Sequence, residues 1–111
     1  MKNTVSLNQN HDFKRLYYKG RSSVSPCMAV YARRNRFAVN RLGVTASTKL
    51  GCAVKRNRAR RRLKETYRLL EPNLKKGFDV VIVARFQSIG SPIGQLNREM
   101  LSLLRKLGVA E

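Results

Sequence analysis

At 111 residues the chain is long enough for one domain with a small core, and residues 1–111 read as a single unit. Its 42% hydrophobic content and few prolines and glycines exclude a disordered chain. Twenty-four Lys and Arg against six Asp and Glu give a net charge of +18, far more than solubility needs and suited to a polyanionic partner. No acid lies between Asp12 and Glu65, whereas sixteen cations do, so the charge marks one face or edge of the domain. No apolar run approaches the ~18 residues of a membrane span. The first ten residues lack the apolar core of a secretory signal, so the expected location is the cytoplasm. There Cys27 and Cys52 stay reduced. Neither belongs to a Cys-x-x-Cys or Cys/His array, and both are read as small buried hydrophobes.

In chain order, Asn10 is expected to cap a short helix through Tyr18, with Gly20 as its stop. Phe13, Leu16 and Tyr17 share one side of it. Residues 22–33 alternate as an extended stretch in which Pro26 imposes a break or an edge. Residues 34–40 read as a hairpin connection to a strand over 41–47, and residues 48–53 as a turn into the main helix, Val54 to Leu70. On a helical projection Ala59, Leu63, Thr66, Tyr67 and Leu70 gather on one narrow side. Asn57, Arg60, Arg61, Lys64 and Arg68 occupy the adjoining broad side, with Arg58 and Arg62 further round. Pro72 ends the helix. Phe78 to Arg85 is nearly continuous apolar and β-branched, the pattern of a central strand covered on both faces. A Ser/Gly/Pro-rich link then precedes a helix carrying Leu96, Met100, Leu103, Leu104 and Leu107, with Gly108 at its end.

The residues for stand-alone chemistry are missing. The single histidine, His11, leaves no His-centred acid/base pair and reads as a solvated residue in a first helical turn. The six acids are scattered, with no spacing that would hold a pair of metal ions, and the glycines form no phosphate-binding loop. The expectation is binding, not catalysis by this chain alone. Lys and Arg neutralise phosphates, and Arg also offers a planar fork to phosphate oxygens and guanine edges. Asn57 among them can bond a 2′-hydroxyl or a base edge. Phe13, Tyr17, Tyr31 and Phe37 lie in the same basic half, where aromatic faces can stack unpaired bases. Spacing alone puts Phe13 in the core rather than under a base, and leaves Tyr31 open between the two.

The run Arg41-Leu42-Gly43-Val44-Thr45-Ala46-Ser47-Thr48-Lys49-Leu50-Gly51-Cys52-Ala53-Val54-Lys55-Arg56-Asn57-Arg58 resembles the signature of the protein subunit of bacterial ribonuclease P. That signature joins a strand ending in Ser-x-Lys-x-Gly to an Arg-Asn-Arg helix. The flanks agree: Asn10-His11-Asp12-Phe13 opens the first helix, Lys19-Gly20 closes it, and Asp79 to Arg85 forms the late strand. The resemblance implies an α/β (α+β) two-layer sandwich with about three helices on a mixed four-stranded sheet. It also implies a left-handed βαβ crossover, against the general rule, and similarity to one ribosomal protein domain.

The activity implied is endonucleolytic removal of the 5′ leader from precursor tRNA, by hydrolysis that leaves a 5′-phosphate. Catalysis belongs to the RNA subunit, with magnesium bound mainly by that RNA and the substrate. By position, Arg56, Asn57, Arg58, Arg61 and Lys64, with Arg60 and Arg68 beside them, match the surface that contacts the RNA subunit. Phe13, Tyr17, Tyr31, Ser47 and Lys49 match the cleft for the single-stranded leader. The implied partners are the catalytic RNA in a 1:1 complex with a monomeric protein, and precursor tRNA. Two positions depart from the pattern: Cys52 stands where Asn commonly follows the turn glycine, and Thr48 replaces a frequent Lys. The alternatives are a ribosomal or assembly protein without a nuclease role, and a nuclease acting alone.

Overall fold

The computed structural model describes residues 2–111. Eight main elements follow one another: β1 (Thr4–Ser6), α1 (Asn10–Lys19), β2 (Arg21–Val24), β3 (Met28–Arg34), β4 (Asn40–Thr45), α2 (Ala53–Leu70), β5 (Phe78–Ala84) and α3 (Ile93–Lys106). The sheet is mixed and five-stranded, in the order β1-β4-β5-β3-β2, with β4 parallel to both β1 and β5. It therefore has one strand more than the four expected. The extra strand, β1, is only three residues long, too short for alternation to announce it. Its place is fixed from outside: Thr4 Oγ1 lies 3.1 Å from the buried Tyr67 hydroxyl, and Glu71 Oε1 accepts the Lys2 N–H at 3.0 Å.

β5 is central, as its apolar run predicts, and that placement overturns the expected hairpin over residues 34–40. β3 and β4 do not pair with each other; β5 lies between them, antiparallel to β3 and parallel to β4. Their connection crosses the start of β5, where the Asn35 N–H donates to Gly77 O at 2.8 Å and Asn35 Nδ2 donates to Asp79 Oδ1 at 2.9 Å. The hairpin in this region is β2–β3 instead. Pro26 sits in its turn, which is the break the missing N–H demands.

α1 starts at Asn10, so the expected cap is the first helical residue and the cap position falls to Gln9, which makes no side-chain cap bond. Gly20 ends the helix in extended backbone, with φ −78°, so it is no left-handed stop. Its absent side chain matters because a Cβ there would lie 2.5 Å from Leu16 O.

Side chains alternate across each strand, so the sheet presents two different faces. One carries Val30, Ala32, Leu42, Val80 and Ile82 into the main core with Ala59, Leu63 and Tyr67 of α2 and Leu96, Met100, Leu103 and Leu104 of α3. The narrow side of α2 is thus buried as projected, with Thr66 also buried and Leu70 packed at the margin. The other face carries Tyr31, Val81 and Val83, covered in part by Leu7, Phe13 and Leu16. α1 is one short helix on a five-stranded sheet, so part of this second face stays open.

Candidate nucleic-acid interface

α2 owes its position to the turn before it. Leu50 is buried, and Gly51 adopts φ +120°, a conformation that favours glycine, so that the chain can turn into the helix. Cys52 then takes the N-cap position. It is exposed, which corrects the expectation of a second buried thiol; Cys27 alone is buried. The backbone N–H groups of Lys55 and Val54 at this helix start pull the Cys52 thiol below its ordinary range.

Along α2, Asn57, Arg58, Arg61, Lys64 and Arg68 are exposed, and Arg56 and Arg60 are half-buried. Arg60 Nη2 bonds Asn57 Oδ1, tying the asparagine to the cationic row. Arg58 and Arg62 reach sideways to the segment before α3. Arg58 Nε donates to Ile89 O at 3.3 Å, and Arg62 Nη2 donates to Ser91 O. Arg68 is the member with an acidic partner: its fork grips Glu65 one turn back, and that bond is the main cause of a lowered Glu65 carboxyl pKa.

The acids explain why this face is so positive. Arg41 holds two of them, donating to Asp79 at 2.8 Å from Nε and 2.6 Å from Nη2, and to Asp12 at 3.4 Å from Nη1. The Asp79 bond is the largest cause of the raised Arg41 pKa. Glu71 and Glu99 accept backbone N–H groups. Among the described residues, Arg41 and Arg68 are the only Lys or Arg side chains in ion pairs. The remaining Lys and Arg side chains have no acidic side chain in an ion pair, which leaves the excess positive charge that a polyanion would neutralise.

The aromatic residues form a second cluster. Tyr17 and Tyr31 meet edge to face, with ring centroids 4.9 Å apart and planes at 80°. Tyr17 remains 43% exposed while half-buried Tyr31 packs against the smaller core cluster, so the pair is a ledge with its outer ring open to solvent. Phe13 lies half-buried one turn earlier, its ring against Gly43. Phe13, Leu42, Gly43 and β1 form one wall of a hollow of about 460 Å³, and Arg60, Arg61 and Lys64 form the other. Phe13 therefore joins two surfaces that the sequence reading kept apart.

Ser47 and Lys49 are exposed on the connection after β4. Tyr31 is level with Gly43 across β5, so Ser47, four residues further along, stands about 13 Å down the strand direction. These two positions lie beyond the end of β4 and are separate from the tyrosine ledge. His11 is largely exposed beside Asp12. Sequence reasoning missed β1 as a wall of the hollow and Arg41 as the clamp on Asp12 and Asp79.

Comparison with known proteins agrees with this architecture. The family model described as Ribonuclease P matches residues 1–108. The ribonuclease P protein component of Clostridium botulinum (strain Langeland) is 38% identical over 104 residues, covering 93% of this chain and 94% of that protein. The component from Alkaliphilus metalliredigens is 36% identical and covers 96% of each chain. Among solved structures, the Staphylococcus aureus RNase P protein superposes with a TM-score of 0.83 at 28% identity, covering 96% of this chain and 97% of that one. The Thermotoga maritima RNase P protein gives 0.81 at 27% identity, covering 91% and 96%. With the family model spanning nearly the whole sequence and the three-helix, five-stranded fold shared, the chain belongs to the ribonuclease P protein-component family.

Proposed function

We infer that this chain is the protein subunit of a ribonuclease P holoenzyme, which processes tRNA 5′ ends, and that it works by holding two RNA segments at once. The cationic row on α2 (Arg56, Asn57, Arg58, Arg60, Arg61 and Lys64) docks the catalytic RNA subunit. Arg68 serves at its margin, because Glu65 competes for its fork. Phe13, Tyr17 and Tyr31 receive the unpaired 5′ leader of precursor tRNA, and Ser47 and Lys49 extend that path at the far end of the sheet. The observation that carries this reading is the hollow in which Phe13 meets Arg60, Arg61 and Lys64: one strand can stack on an aromatic ring while its phosphates stay beside α2.

The chain's contribution is positional. Holding leader and catalytic RNA in fixed relation turns an encounter into a bound geometry, and the cations reduce repulsion between two polyanions. Among the described residues there is no group of three or more His, Cys, Asp or Glu that could hold a metal ion. Magnesium is assigned to the RNA subunit and the substrate. No helix among the described residues is long and apolar enough to cross a membrane. The family likeness further implies a monomer in a 1:1 complex, a cytoplasmic setting, a left-handed β4–α2–β5 crossover and kinship with one ribosomal protein domain.

The test incubates precursor tRNA and magnesium with the protein, with the family's catalytic RNA, and with both. Faster leader removal by the pair than by the RNA at low magnesium is expected. Cleavage by the protein alone would reject the subunit reading in favour of a nuclease acting alone. No gain from adding protein would favour a ribosomal or assembly role.

A further inference from the structure

The segment leaving β5 carries a feature that neither the charge pattern nor the tyrosine ledge includes. Residues Phe86–Ser88 form a single 3-10 turn, held by the Ser88 N–H and hydroxyl, which both donate to Arg85 O at 2.9 and 2.7 Å. Ser88 is fully buried while Phe86 is 66% exposed, so a fixed turn holds an aromatic ring out in water. Phe86, Gln87, Ile89, Gly90 and Ser91 surround a shallow cavity of about 330 Å³ whose wall is almost entirely carbon. A Cβ at Gly90 would meet nothing within 4 Å, so the space beside it is open.

Two cations of α2 border the lining segment: Arg58 Nε donates to Ile89 O at 3.3 Å and Arg62 Nη2 donates to Ser91 O, the carbonyls of two residues that line the cavity. No acid lines it. An apolar slot with an exposed aromatic wall and two guanidiniums bonded to its backbone complements a flat, uncharged ring joined to a phosphate. A purely apolar partner would leave the guanidinium charges unanswered, and a bare phosphate would leave the ring exposed.

We propose that the Phe86–Ile89 cavity binds one unpaired nucleotide of the catalytic RNA, its base stacked on Phe86 and its phosphate held by Arg58 and Arg62. This rests on the assignment of α2 to the RNA subunit. The cavity is continuous with that surface through Arg58, whereas the tyrosine ledge lies on the opposite face of the sheet. Stacking on a fixed ring adds affinity without adding charge neutralisation.

The chain contains no tryptophan, so Phe86→Trp installs a single, selectively excitable indole at the site. With the full chain and the catalytic RNA, Phe86→Ala should weaken binding about 5- to 100-fold, with an unchanged dependence on salt. Phe86→Trp should keep near-normal affinity, and its emission should be quenched by the catalytic RNA but not by precursor tRNA alone. Unchanged affinity of Phe86→Ala, or indole emission from Phe86→Trp that is indifferent to the catalytic RNA, would overturn the proposal. Quenching by precursor tRNA alone would reassign the cavity to substrate and overturn it equally. If Arg61→Ala weakens binding while Phe86→Ala does not, the cavity assignment fails and the docking role of α2 stands. If the unaltered chain does not bind the catalytic RNA, both fail.

Discussion

The ring of Phe13 occupies the space that a side chain at position 43 would need: a Cβ added to Gly43 would lie 2.6 Å from two of its ring carbons. Gly43 sits in β4, directly across β5 from Tyr31, so the missing side chain lets α1 settle onto the sheet with Phe13 at the mouth of the hollow. Gly43→Ala should push the ring out of place. The ring is half-buried and can swing, so the stability cost should fall at the low end of overpacking, about 1 kcal/mol. Precursor tRNA affinity should fall by more than the melting curve accounts for. Combined with Phe13→Ala, the glycine substitution should cost little further affinity. Additive losses in this double-mutant cycle would show that the two residues act independently.

Tyr31 tests the ledge. Tyr31→Ala should weaken binding of precursor tRNA by about 1–3 kcal/mol, the usual range for one stacked base, and leave mature tRNA unaffected. Tyr31→Phe keeps the ring and its edge-to-face partner Tyr17, and should restore most of the affinity. Titrations with leader-bearing and leaderless tRNA decide it. Equal losses on the two RNAs would place the leader elsewhere.

Arg61 and Arg68 are both exposed cations on α2, yet only Arg68 has an acid in its fork. Arg61→Ala should reduce the slope of log affinity for the catalytic RNA against log salt by about one unit. Arg68→Ala should change the slope less, because phosphate must displace Glu65 before Arg68 contributes. Glu65→Gln, which frees Arg68, should tighten binding. Equal slopes for the two arginine variants would remove the distinction between them.

The contrast between those arginines was not legible in the sequence, although the helix itself was. Ala59, Leu63 and Tyr67 recur at helical spacing because they face a core, and that periodicity survives into the structure. Partner choice around Arg68, Arg58 and Arg62 depends on rotamers and on a loop from another part of the chain, which no local pattern encodes. The same limit explains residues 34–40. Two strands joined by a short polar link look like a hairpin, but a third strand that arrives thirty-eight residues later, at Phe78, lies between them. The double-sided burial of β5 was readable, and it required neighbours on both edges. Cys52 was misplaced because its surroundings are set by a helix start, where a small side chain can stay in water.

Glu99 links the β2–β3 hairpin to α3, and its behaviour should make the fold sensitive to acid. Burial pushes its carboxyl upward, but bonds from Ser25, Gln95 and the Cys27 N–H outweigh this and hold the pKa down at about 2, from an ordinary 4.5. The Cys27 N–H donates at 2.9 Å and Gln95 Nε2 at 2.8 Å. Because the folded pKa lies below the unfolded one, the stabilisation is fully present above about pH 4.5 and is lost as pH falls towards 2. For a carboxylate that still touches solvent, the loss should be about 1–2 kcal/mol. Glu99→Gln should be less stable than the unaltered chain at pH 7 and should approach it as pH falls to 2, since the amide has no charge to lose there. Denaturant unfolding at several pH values measures the difference. A gap between the two proteins that stays constant from pH 7 to 2 would mean that the Glu99 charge does not hold the hairpin to α3.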